Sequence, residues 1–428
     1  MSVMLSALPN GLRVVTHEMP HLETVSLGVW VGIGARSEAP DQHGISHLLE
    51  HMAFKGTARR SGRDIVEEIE SVGGDLNAAT SIETTAYYAR VLKADVPLAV
   101  DIIADILRDP KFDAAELARE QDVVLQEIAA AEDSPDDVVY DVAQEIAFPK
   151  QAAGRSILGT RQSVRAVTPG DLADYMQAHY RAGSMVLAAA GAIDHAHLVK
   201  LAEAAFGDME TTAHCDAVPV SYVGGFRHEP RQFEQSHIIV SVPGPSYRDD
   251  TMYTAQLFSS MLGGGMSSRL FQEAREARGL CYAIYSYCWG MSDTGLFGIH
   301  AASGPDQMVE LAGVIVAELE KFAREPASDI ELSRAKAQLK SGLLISLESS
   351  GSRAEQIARQ TLAFGAPREV DELVSKIDAV DKEAVRKFTH ELILSVSPSV
   401  AAVGPLKERD RLEALVRRSF MQPATAAE

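Results

Sequence analysis

The 428-residue sequence predicts an α+β fold built twice, as two similar domains that each pack helices on a mostly antiparallel sheet. Three observations lead there. Apolar alternation marks several strands, amphipathic runs mark helices without strict strand–helix alternation, and the same order of elements returns after about 210 residues.

The first copy opens with TVSLGVWVGIGARSEAPD (24 to 41), a strand by its alternation, and passes into a helical stretch around His47. A second amphipathic helix follows in GRDIVEEIESVGG (62 to 74), then two strand-like runs, DLNAATSI and TTAYYARVL, then the helical KADVPLAVDIIADILRD. From about residue 236 the order repeats: SHIIVSVPGPSYRDD, the helices TAQLFSSMLGGG and SSRLFQEAREARG, the strands LCYAIYSYCWG and GLFGIHAAS, then DQMVELAGVIVAELEKF. The predicted domains are 1-215 and 225-428, with a Pro/Gly-bearing linker near 208 to 228.

Composition narrows the function. A hydrophobic fraction of 46% and a charged fraction of 23% suit a soluble chain with ample core. No run approaches the roughly 18 apolar residues of a membrane span. The N-terminus MSVMLSALPNGLRVVTHEMP has neither the basic-then-apolar pattern of a signal peptide nor the Arg/Ser-rich pattern of a transit peptide. A cytoplasmic, bacterial-type location is therefore expected. Three cysteines, Cys215, Cys281 and Cys288, are too few and too oddly spaced for a disulfide framework or a Cys-based zinc site, and read as small buried hydrophobes. A net charge of −20 argues against nucleic acid and favours cationic partners, although acidity also serves solubility.

The segment HGISHLLEHMAFKGT (43 to 57) holds His47, Glu50 and His51 within five positions. Residues four apart on a helix share a face, so the two imidazoles can meet one ion with Glu50 beside them, the inverse of H-E-x-x-H. Two histidines leave zinc under-coordinated, and a third protein ligand must come from elsewhere. The helical stretch LAREQDVVLQEIAAAE (117 to 132) offers Glu120 and Glu127, seven apart on nearly one face. One carboxylate can bind the ion while the other steadies its ligands, and spacing alone does not assign them. In the second copy the corresponding helix reads FSSML (258 to 262), so the metal is expected in the first copy alone.

These features resemble the pitrilysin-type zinc peptidases, the inverzincins, and within them the beta-type chains of the processing peptidases and their bacterial homologues. The resemblance covers nearly the whole chain. It rests on HGISHLLEHMAFKGT with Glu127 seventy-six positions after His51, on GGDLNAATSIETTAYYA, on GGGMSSRLFQEAREARGLCYAIYS and on the doubled layout. It implies that domain 1-215 is the catalytic zinc-binding domain, with His47, His51 and Glu127 as ligands of Zn2+, Glu50 as general base and Glu120 as an acid behind the ligands. It implies that domain 225-428 holds no metal but carries an Arg/Tyr pair, Arg275 and Tyr282, which holds substrate and stabilises the oxyanion; by themselves these read as a helix-surface arginine and a strand tyrosine.

The same resemblance makes Asn77, Ala78 and Ala79 an edge strand that pairs with an extended substrate. It makes Phe54 a lining of the pocket just after the cleaved bond, where a core phenylalanine is the competing reading. Asp137 and Asp141 match acids that hold an arginine two residues before the cut, against a solvated acidic helix face. It also implies a clamshell-type assembly: a homodimer, or a heterodimer with a related non-catalytic chain, closing around an unfolded peptide. The short Gly263 to Gly265 run departs from the full glycine-rich element of the processing peptidases, which belongs chiefly to a separate subunit, and it lacks the ending of a phosphate loop. The expected activity is zinc-dependent endopeptidase cleavage of unfolded or presequence-like basic peptides. The alternatives are a catalytically weak or inactive partner or core-type subunit, or a peptide-binding module. Neither a membrane nor a nucleic-acid partner is expected.

Overall fold

A computed structural model of the chain describes residues 3–211, 218–325, 327–394 and 397–420. Two sheets organise it. The first contains β1 (Val3–Ala7), β2 (Arg13–Glu18), β3 (Thr24–Val31), β4 (Asp75–Thr80), β5 (Thr85–Leu92) and β6 (Met185–Gly191), in the order β1-β2-β6-β3-β5-β4. The second contains β7 (Gly225–Glu229), β8 (Ser236–Gly244), β9 (Ala283–Gly290), β10 (Gly295–Ser303) and β11 (Ser399–Val403), in the order β7-β11-β8-β10-β9. Pairing is antiparallel except for β2 with β6 and β7 with β11. This is the α+β, mostly antiparallel architecture that the alternation predicts.

Both faces of each sheet are covered, and the alternation in single strands shows how. In β6, Leu187 and Ala189 join the larger core with α1 (Ile45–Ala53), α2 (Gly62–Ser71) and α3 (Val96–Arg108). Their neighbours Val186, Ala188 and Ala190 face the other way, onto Ala354, Ile357 and Ala358 of the helix Ser350–Phe364. In the second sheet, Ile238 and Val240 join one core while Ile239, Ala401 and Val403 meet Val138, Val139 and Val142. Those three valines belong to α5 (Pro135–Ala147), which follows α4 (Ala114–Asp133).

Each of these two covering helices comes from the other half of the sequence. One compact unit comprises residues 1–129, 155–218 and 344–369; the other comprises 130–154, 219–343 and 370–428. The main change of unit falls between 218 and 219, within the linker expected at 208 to 228, but two segments are exchanged relative to a single cut between 215 and 225. An apolar helix stripe says that something is covered, and leaves open which sheet.

The expected GGG element has a packing role. A Cβ on Gly263, at the end of the helix Met252–Gly263, would lie 2.5 Å from the backbone nitrogen of Ser286 in β9. Cys281 is buried and Cys288 half-buried, both as free thiols, and Cys215 lies outside the described residues. Among the described residues, no helix is long and apolar enough to cross a membrane.

Candidate metal centre

The centre begins with two-sided α1. Ile45, Leu48, Leu49 and Met52 recur at i, i+3, i+4 and i+7 and are buried in the core, so His47, Glu50 and His51 occupy the less buried side. Gly44 starts the helix at φ 92°, and a Cβ there would stand 2.8 Å from Cα of Gly159. Buried Glu38 completes the N-terminus by accepting from the amides of Gly44 at 2.8 Å and Ser46 at 2.9 Å. Burial pushes its carboxyl up to about 7, against the pull of these hydrogen bonds. Glu38 escaped the sequence reading because it lies in the loop before α1 and reaches the helix only through a turn.

The second contributor is α4. Leu117, Gln121, Val124 and Ile128 form its buried stripe, and Glu120 and Glu127 flank that stripe two turns apart. Their carboxylates have different neighbours. Oε2 of Glu127 lies 3.5 Å from Nε2 of His47, its Oε1 lies 3.7 Å from Nε2 of His51, and the two Nε2 atoms are 3.3 Å apart. Glu120 is buried behind the group, 3.1 Å from Nδ1 of His51, and its other oxygen is 2.7 Å from Nζ of Lys55.

This donor set fits zinc. A tetrahedral ion with bonds of about 2.0–2.1 Å holds its donors about 3.3–3.4 Å apart, close to the separation of the two Nε2 atoms and to the reach of the two Glu127 oxygens from them. Burial, and then the neighbouring His51, push the His47 imidazole down to about 4, so it is neutral with a lone pair to give. A proton on Nδ1 of His51, donated to Glu120, leaves the Nε2 lone pair facing Glu127 and His47. The alternative assignment, Glu120 at the ion and Glu127 behind it, does not match these distances.

Glu50 is part-buried beside the cluster, where its carboxyl experiences both His51 and Glu127. Burial is the largest influence and raises its pKa; Thr80 and His51 pull it down, and the charge of Glu127 adds to the rise. Thr80 ends β4, which pairs with β5 and forms one margin of its sheet. Asn77, Ala78 and Ala79 lie on this edge, with Asn77 and Ala79 exposed. The edge strand expected for substrate therefore reaches Glu50 through Thr80.

The remaining candidates are distributed between the units. Phe54 ends α1, half-buried, with its ring 6.3 Å from that of Tyr87 against the first unit's core. Asp137 and Asp141 are exposed on α5 in the second unit. Arg275 lies in the π-helical turn Phe271–Glu276, also in that unit, and its guanidinium sits 4.6 Å from the ring centre of Tyr282. Tyr282 precedes β9 and is 77% exposed, so its hydroxyl is open to a ligand.

Comparison with known proteins decides the family. Residues 13–161 match the family model described as Insulinase (Peptidase family M16), and residues 166–339 match the one described as Peptidase M16 inactive domain. The chain belongs to peptidase family M16. It is 37% identical over 417 residues to an uncharacterized zinc protease of Streptomyces coelicolor, covering 95% of this chain and 91% of that one. It is 36% identical over 434 residues to a probable mitochondrial-processing peptidase subunit beta of Arabidopsis thaliana, covering 97% of this chain and 81% of that one.

Among solved structures, a protease from Helicobacter pylori gives a TM-score of 0.87 at 19% identity, covering 94% of this chain and 99% of that one. A peptidase M16 inactive domain from Pseudomonas fluorescens gives 0.88 at 19% identity, covering 95% and 99%. These two likenesses establish the M16 fold. The zinc protease relatives and the M16 assignment establish a zinc metallopeptidase family, with Zn2+ as its cofactor.

Proposed function

We propose that this M16 chain is a zinc endopeptidase that hydrolyses unfolded oligopeptides, including basic, presequence-like ones. The observation that carries the reading is the convergence of His47, His51 and Glu127 at mutual distances of 3.3 to 3.7 Å. These three hold the ion. Zinc, when bound, supplies a Lewis acid that polarises the scissile carbonyl and eases deprotonation of water.

The chain's own groups do the rest. Glu120 fixes the ring of His51 through Nδ1, and Lys55 fixes Glu120. Glu50 takes a proton from the attacking water and delivers it to the leaving amine, a transfer its raised pKa favours. The free edge of β4 around Asn77 and Ala78 aligns an extended backbone beside Glu50, and such pairing selects unfolded segments over folded ones. Phe54 lines the pocket after the cut, while Asp137 and Asp141 receive an arginine before it. The net charge of −20 and a relative named as a processing peptidase support basic substrates.

The reading includes a homodimer. Arg275 and Tyr282 of one protomer serve the metal centre of the other, gripping the substrate and steadying the oxyanion. Their mutual packing and the exposure of Tyr282 support that use. A cytoplasmic setting, where free Cys281 and Cys288 persist, completes it.

Glu50→Gln tests the reading. Zinc content should stay at the wild-type level while turnover of an unfolded peptide falls by roughly 10² or more, the usual scale of general acid–base assistance. A zinc-loaded wild type that binds such peptides without cutting them would instead make the chain a binding module.

A further inference from the structure

A second convergence of metal-binding side chains lies in the second unit, where the sequence reading expected no metal. His237 stands in β8 and His300 in neighbouring β10, whose register pairs His237 with Ala302 and Ile239 with His300. The histidines are thus diagonal neighbours on one face of the sheet. It is the face that α5 covers, as adjacent Ile239 packs on α5 while Ile299 and Ala301 belong to the opposite core. Asp136, in the first turn of α5, brings a carboxylate to the same point.

The geometry is tight and nearly equilateral. Oδ1 of Asp136 lies 3.3 Å from Nδ1 of His237 and 3.2 Å from Nε2 of His300, and the two nitrogens are 3.3 Å apart. These edges are at least as short as those of the His47, His51 and Glu127 group, and they match the roughly 3.3–3.4 Å between donors on a tetrahedral zinc-sized ion. Among the described residues these are the two groups suited to a metal ion.

The surroundings favour neutral imidazoles on the sheet side of the group. His237 and His300 are 5% and 1% exposed, and burial keeps an imidazole in the neutral form that binds metal. Tyr140 stacks on the His300 ring at 5.9 Å, Tyr285 covers it at 4.9 Å, and the two tyrosine hydroxyls meet at 3.0 Å. Nδ1 of His300 is buried without a partner, so the ring's polar contacts are made at Nε2 alone. If both imidazoles donated to Asp136, two N–H groups would share the single oxygen Oδ1 while their nitrogens stood 3.3 Å apart. An ion at the centre lets all three atoms present lone pairs inward.

We propose that Asp136, His237 and His300 form a second metal site, for Zn2+ or a similar borderline dication, which ties α5 to the sheet of the second unit. Two imidazoles and one carboxylate suit zinc-class ions better than magnesium or calcium, which take oxygen donors. The expectation of a metal-free second half rested on the helix containing FSSML, whereas these ligands come from two strands and α5.

Metal counting tests the site independently of catalysis. Metal-stripped full-length protein is titrated with Co2+ alone, read by its tetrahedral ligand-field absorption, and with Zn2+ alone, read by calorimetry. Two ions per chain are expected for the wild type, one for Asp136→Ala, and one for His47→Ala/His51→Ala. Asp136 is exposed, so its replacement avoids the folding risk of altering buried His300. Zinc should also raise the unfolding temperature of His47→Ala/His51→Ala protein and have no such effect once Asp136→Ala is added. A single ion in the wild type, or two retained in Asp136→Ala, would overturn the proposal and leave the triad a hydrogen-bonded tie.

Discussion

Glu120 holds Nδ1 of His51 at 3.1 Å, on the side of the ring away from His47, while Lys55 holds the other oxygen of Glu120 at 2.7 Å. The Nε2 atom of His51 is thereby held toward His47 and Glu127. Glu120→Gln should therefore weaken zinc binding by about 10 to 100-fold, the usual cost of losing a carboxylate behind a ligating histidine. Glu127→Gln, which removes a direct donor, should cost more. Competition titration against a chromogenic chelator measures both, and the reverse ranking would exchange the roles of the two glutamates.

The raised pKa of Glu50 has a definite sign. Burial disfavours the carboxylate, so the folded protein keeps this proton to a higher pH than an unfolded glutamate does. The folded state then binds more protons over that interval, and ionisation of this group subtracts stability as pH rises through it. Carbon-13 titration of the metal-free protein, with Glu50→Gln identifying the resonance, should place its midpoint above the free-glutamate value of about 4.3. Glu127→Gln should lower that midpoint by removing a neighbouring negative charge.

Asp137 and Asp141 predict a substrate rule. Peptides with Arg two residues before the cut should be cleaved with kcat/KM about tenfold or more above their Ala counterparts, since hydrogen bonds between charged groups contribute roughly 1.5–3 kcal/mol. Changing both aspartates to Asn should erase most of that ratio, and added salt should shrink it in the wild type. Equal cleavage of the two peptides by the wild type would leave the pair a solvated helix face.

The dimer reading predicts complementation. Glu50→Gln protein and Arg275→Ala/Tyr282→Phe protein should each be nearly inactive, and mixing should restore part of the activity through mixed dimers with one intact site. If subunits exchange and activity stays at the level of either variant alone, Arg275 and Tyr282 do not act across protomers.

How much of this was legible depended on how local each pattern is. The two-sided helix of His47, Glu50 and His51 could be read because its apolar positions lie within eight residues. The strands DLNAATSI and TTAYYARVL appear as β4 and β5 for the same reason. Glu38 was silent, since nothing in its own segment marks it as the carboxylate that starts α1. The stripes of α5 and of the helix Ser350–Phe364 announce buried faces without naming the sheets they cover. His237 and His300 look like ordinary strand positions until the register of β8 against β10 brings them together.

The exchanged helices also have a meaning in time. A ribosome making this chain releases His47, His51 and Glu127 early, together with all six strands of the sheet that supports them. One face of that sheet, with Val15, Trp30, Val186, Ala188 and Ala190, stays bare until Ala354, Ile357 and Ala358 emerge. Because contacts so distant in sequence close late, the unit that contains His47, His51 and Glu127 is complete only after residue 369 has been made. His47, His51 and Glu127 thus leave the ribosome long before the last segment of the unit that holds them.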